Sequence, residues 1–215
     1  MKSSLTLCIS LCTLITLCTS EESNLQDTCP TAPTAKQGIF INGYPCKNPA
    51  NVSASDFKSS KLDRPGNTDN FLRSALTLVT ASDFPGLNTL GLAAARTDLD
   101  VDGLQIPHSH PRASEIVFVS KGVVLVGFVD TQNQLFQKTL KAGDVFLFPR
   151  ALLHFCLNAG YDKAVIFSVL NSQNPGVVRI ADAMFLQAEG DVMEKLVSRI
   201  KSSAAALEMS GGVIT

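Results

Sequence analysis

From residue 71 to residue 170 the chain is a succession of short β-prone runs cut by turn residues, and that pattern leaves few folds open. The runs are Leu76 to Thr80, Thr89 to Ala95, Glu115 to Ser120, Val123 to Val129, Leu135 to Leu140, Val145 to Phe148, His154 to Leu157 and Ala164 to Leu170. Between them lie Lys121-Gly122, Asp130-Thr131-Gln132-Asn133, Ala142-Gly143 and Asn158-Ala159-Gly160. Short strands with regularly placed turns argue for an all-β sandwich or barrel and against alternating α/β units.

The two ends differ from this middle. Lys2 followed by the apolar stretch Leu5 to Leu17, with small residues at Cys18 to Ser20 before Glu21-Glu22, reads as a secretory signal peptide over 1–20. A membrane span needs about 20 apolar residues, and no run reaches that length. Residues 21–70 read as an N-terminal extension wrapped on the barrel, rich in Pro, Asn, Ser and Lys. The barrel itself is expected over 71–180. Within the C-terminal segment 181–215, Gly190 to Ala206 carries Val192, Leu196, Val197 and Ile200 one helical turn apart, which predicts an amphipathic helix.

A net charge of −1 offers no field for nucleic acid or an anionic membrane. Charged residues make up 17% of the chain, below the soluble average of about 25%, which hints at subunit-covered surface. Removing the signal peptide leaves Cys29, Cys46 and Cys156. In an oxidising destination a Cys29–Cys46 bridge is expected, worth roughly 3 kcal/mol for a loop of that size. Cys156 falls in a core strand and reads as an inert buried thiol. Asn51-Val52-Ser53 is a glycosylation sequon on the secretory route.

The chemistry concentrates on the chain's three histidines: His108, His110 and His154. In Pro107-His108-Ser109-His110, residues i and i+2 of an extended segment project from one face, so both imidazoles can reach one point. Glu115 follows at the opposite strand parity, so reaching that point requires an irregularity, and Pro111 sits where a break is expected. His154 arrives from a later strand. Three neutral nitrogens and one carboxylate can hold a divalent metal. Three histidines alone would suit tetrahedral zinc; the added carboxylate suits a six-coordinate ion that keeps two positions open.

Glycines and prolines frame both clusters, from Gly103 to Gly122 and from Gly143 through Pro149 to Asn158. The two segments resemble the paired motifs of the cupin superfamily. The stretches Phe84 to Gly91, Pro107 to Glu115, Asn171 to Gly176 and the Cys29 and Cys46 pair resemble plant germins and germin-like proteins. This resemblance implies a cupin jelly-roll β-barrel with manganese (Mn2+) at His108, His110, Glu115 and His154. It also implies a hexamer built as a trimer of dimers, an extracellular, apoplastic location and a role in plant defence. Two departures stand out: the family usually has glycine where this chain has Asp102 and Ala151. If position 151 needs a positive φ, alanine there costs about 1 kcal/mol.

Two classes of function follow. The first is a manganese-dependent oxidoreductase that dismutates superoxide, an activity associated with germin-like proteins. Germins that oxidise oxalate are similar too, and hold it with two asparagines; Asn88 matches one, whereas Gln105 occupies the place of the other. The extra methylene of Gln105 displaces the amide, and a misplacement of about 1 Å can cost about 100-fold, so little or no oxalate oxidation is expected. Asn158 and Gln105 are candidates for positioning a metal-bound water. The second class is a non-catalytic wall-associated or receptor-like protein with a structural metal. The adhesion tripeptide of some relatives is absent here, and Lys141 to Asp144 reads as a hairpin turn.

Overall fold

The computed structural model describes residues 26–32, 43–180, 182 and 191–209. The expected signal peptide and the Gly38 to Ile41 piece lie outside the described residues. Among the described residues ten strands form two antiparallel five-stranded sheets. The first holds, in order, β1 (Ser74–Val79), β2 (Ala93–Leu99), β9 (Ala164–Leu170), β4 (Glu115–Lys121) and β7 (Val145–Phe148). The second holds β10 (Val178–Arg179), β3 (Leu104–Ser109), β8 (Leu153–Asn158), β5 (Val123–Val129) and β6 (Leu135–Lys141). This is the all-β architecture that the short runs predict and the jelly-roll that the resemblance implies.

Period-two burial makes the core. Glu115, Val117 and Val119 of β4 are buried while Ile116 and Phe118 between them are exposed, as a strand with one face inward requires. Inward residues of both sheets meet in one cluster, with Val117, Val119, Phe148 and Ile166 from the first and Val124, Val126, Leu140 and Cys156 from the second. At the tight β4–β5 turn Gly122 adopts φ +88°, and a Cβ there would lie 2.7 Å from that of Ala164, so glycine is required.

Three sequence expectations need adjustment. The predicted run Thr89 to Ala95 is strand only from Ala93. Pro85–Leu87 forms a 3-10 turn, and Thr89 and Gly91 both have positive φ, a conformation that cannot continue a ladder. The eight predicted runs omit β3, whose Pro107 and histidines mask an ordinary extended strand, and the short β10. The C-terminal helix, α1, spans Asp191–Met209, close to the predicted limits. Among the described residues no helix is long and apolar enough to cross a membrane.

Asp102 and Ala151 have φ of +58° and +64°. Both positions where glycine is expected are therefore left-handed, and this chain bears the strain at each. Lys141 to Asp144 is the β6–β7 turn, closed by the Asp144 amide donating to the Lys141 carbonyl at 3.0 Å.

The Cys29–Cys46 disulfide is formed. It closes a loop within the N-terminal segment, which is held beside the Pro85 turn by the Thr31 amide donating to the Pro85 carbonyl at 3.3 Å. Asn51 lies exposed at the end of a second 3-10 turn, Pro49–Asn51.

Candidate metal centre

His108 lies on β3, His110 just past its end, and His154 on the neighbouring β8, where it pairs in register with His108. Glu115 opens β4 in the opposite sheet, paired with Phe148 and Leu170. The irregularity demanded by the parity of Glu115 is the passage of the chain from one sheet to the other over residues 110–114. There Ala113 donates back to the His110 carbonyl at 3.3 Å. Strand pairing also shifts between Gln105 and His108.

The four side chains are buried and their candidate ligand atoms all lie within 4.8 Å of one another. Each ring is aimed from behind. His108 Nδ1 lies 2.9 Å from the Ile106 carbonyl, His110 Nδ1 2.6 Å from that of Gly176, and His154 Nδ1 2.9 Å from that of Leu152. A carbonyl can only accept, so these contacts assign the proton to Nδ1 and leave each neutral Nε2 as a bare lone pair. Phe148 stacks on His154, with ring centroids 4.4 Å apart.

Nε2 of both His110 and His154 lies 3.2 Å from Glu115 Oε2. Two acceptors facing each other make no hydrogen bond, and His154 Nε2 and Glu115 Oε2 are both buried without one. Such orphaned atoms converging on a point fit a cation between them. The electrostatics separate His108 from the His110 and Glu115 pair. Burial and the neighbouring His154 push the His108 pKa down to about 4. Burial opposes charge on His110, but contact with Glu115 outweighs it and raises the pKa. Burial likewise opposes charge on Glu115, yet His110 and His154 hold its carboxyl well below the usual carboxylate range.

The cupin family model matches residues 60–196. A germin-like protein of Arabidopsis thaliana, subfamily 3 member 4, is 56% identical over 84% of this chain and 86% of its own length. The chain belongs to the germin-like proteins of the cupin family. Germin-like protein 11-1 of Oryza sativa subsp. japonica is 54% identical over 85% of this chain and 82% of its own. Among solved structures, an oxalate oxidase superposes with TM-score 0.77 at 35% identity, covering 90% of this chain and 98% of the other. Peruvianin-I, described as a cysteine peptidase from Thevetia peruviana latex, gives 0.67 at 41%, covering 74% and 96%.

In this germin-like chain the remaining sequence candidates separate. Gln105 is buried and lines the cavity beside the four ligands. Asn88 does not line it. Its amide donates to the carbonyls of Cys29 and Tyr44, each at 2.9 Å, and its oxygen accepts from the Tyr44 amide at 3.0 Å. The expectation that Asn88 holds substrate is corrected: its amide and its oxygen both clasp the disulfide segment. Asn158 is corrected likewise. It donates to the carbonyls of Asp100 and Asp162, both at 2.8 Å, and accepts from the Gly160 amide, pinning loops rather than a metal-bound water. Cys156 lines the cavity as a free, buried thiol, and burial, reinforced by Glu115, raises its pKa far above the ordinary value.

Two lining hydroxyls, Thr97 and Ser168, belong to no motif. The signal that could have found Ser168 is parity. It shares the inward face of Ala164 to Leu170 with Ile166, and a polar residue there is out of place.

Proposed function

We propose that this germin-like protein is a secreted, apoplastic manganese protein that dismutates superoxide and oxidises oxalate weakly or not at all. The observation that carries the reading is the space beside the four ligands, a cavity of about 10 Å³. That is room for about one water-sized group, which suits a small oxygen species. With Asn88 committed to the N-terminal clasp and Gln105 carrying an extra methylene, no asparagine pair is left to cradle oxalate.

His108, His110, Glu115 and His154 would hold the ion. When bound, manganese would supply one-electron cycling between its +2 and +3 states, so that two superoxide ions and two protons become O2 and H2O2. The single carboxylate favours the higher charge, and the carbonyls behind each imidazole keep the Nε2 lone pairs forward. The apolar walls around Val117 and Phe148 keep bulk water out.

A hexamer, a trimer of dimers, belongs to the same reading, as do glycosylation at Asn51 and a role in defence. Self-association is supported by Leu147, Ile116 and Val169, register neighbours on the outer face of the first sheet that are each about half exposed.

A structural metal in a non-catalytic wall protein is the second reading, favoured by the way the ligands join both sheets. Comparing wild type with Glu115→Gln, dialysed equally and normalised to bound manganese, separates the two. Superoxide turnover per bound ion above that of free manganese supports the dismutase; equality with free manganese leaves a metal holder.

A further inference from the structure

Ser168 is a hydroxyl in an inward row that is otherwise apolar. Its partners across the sheet are Ala95 on β2 and Val117 on β4. It is 3% exposed, and its Oγ has no hydrogen-bond partner. An unpartnered buried hydroxyl weakens a fold unless a ligand satisfies it. Here the open direction is the metal cavity, which Ser168 lines.

The opposite sheet supplies a second polar group: Gln105 is 6% exposed and lines the same cavity. Thr97, two residues along β2 from Ala95 and so on the same inward face, adds a further hydroxyl to the lining. A cavity that admits one water needs two to four polar partners to retain it. Gln105 and Leu76 also border an open hollow of about 390 Å³, so these two side chains are shared by the cavity and the hollow.

We infer that the Ser168 hydroxyl and the Gln105 amide form a subsite for one small oxygen species, water, peroxide or superoxide, at the metal cavity. The inference rests on the metal reading above. Ser168 donates its hydrogen to the ligand, and Gln105 donates from its amide NH2 or accepts at its oxygen. This makes the pair positioning residues for whatever occupies the open coordination position, and it selects small ligands that accept a hydrogen bond.

Fluoride is the probe, being small enough for the cavity and an acceptor. Full-length wild type and Ser168→Ala are loaded with manganese, their metal content is measured, and fluoride is titrated by electron paramagnetic resonance. The expected result is equal metal content with fluoride bound roughly tenfold more weakly by Ser168→Ala, the loss of one hydrogen bond. Equal metal and equal fluoride affinity overturns the subsite while leaving the metal centre standing. Wild type that retains no metal overturns the metal reading itself. The metal-free proteins then decide on the subsite. A lower melting temperature for Ser168→Ala means the hydroxyl holds a water; an equal or higher one means it holds nothing and overturns the proposal.

Discussion

Glu115 Oε2 stands 3.2 Å from His154 Nε2 across the two sheets, and the hydrogen-bonding capacity of both atoms is unspent. A cation between them satisfies both at once. His154→Ala and Glu115→Gln are therefore expected to lower bound metal in purified protein, measured by elemental analysis. Chelating the wild type should lower its melting temperature, since a ligand at 1,000 times its Kd stabilises by about 4 kcal/mol. Stoichiometric metal in His154→Ala would remove that residue from the centre.

Acid should unfold the chelated protein more readily, and His108 sets the window. Its folded pKa of about 4 lies below its ordinary 6.5. The unfolded chain thus takes up a proton first as pH falls, and stability present above 6.5 is lost between 6.5 and about 4. Glu115, held low, acts in the same direction below its ordinary 4.5. His110, held high, has the opposite sign and partly offsets them. Denaturant midpoints measured across that window should fall with pH in wild type and fall less in His108→Gln; identical slopes would refute the assignment.

Asn88→Ala should damage the N-terminal clasp and spare the metal. The substitution strands the carbonyls of Cys29 and Tyr44 and the Tyr44 amide, at about 1–3 kcal/mol for a buried group left unpaired. The expected signs are a lower denaturant midpoint and faster proteolysis near the Cys29–Cys46 loop, with unchanged metal content. Loss of metal at unchanged stability would instead return Asn88 to the centre.

Ala151 offers a gain. At φ +64° an alanine is strained by about 1–2 kcal/mol, while glycine loses about 0.4–1 kcal/mol through the freedom of the unfolded chain. Ala151→Gly should thus stabilise by about 0.5–1 kcal/mol in urea unfolding. A destabilised variant would show that the Ala151 methyl contributes packing that outweighs the strain.

Oxalate turnover is expected to be weak in wild type. Gln105→Asn tests which obstacle dominates. If Asn alone restores oxalate oxidation, the methylene was the block; if it does not, the missing partner is.

Much of this architecture was legible in advance. Val123 to Val129, Val145 to Phe148 and Ala164 to Leu170 emerge with the limits their flanking turns suggest. The convergence of His108 and His110 was readable because spacing and parity are local properties, whereas Glu115 and His154 joined them through the framing motifs and the family resemblance. The fates of Asn88 and Asn158 were not readable, because hydrogen-bond partners are set by the fold: Asn88 answers to residues 44 and 59 positions away. Thr89 to Ala95 misled for a related reason. Its β-prone composition hides two left-handed residues that only a defined turn reveals.

His108 and His154 stand on one sheet, His110 follows just past the end of β3, and Glu115 stands on the other sheet. An ion held there would cross-link the two layers, so that pulling the sheets apart would mean breaking bonds to the metal. Opening of the barrel should then slow when the metal is bound, which hydrogen exchange of β4 and β8 amides would read. The same geometry fixes an order for assembly. The site does not exist until β3, β8 and the start of β4 have come together, so the metal can seal a finished barrel but cannot guide its early folding.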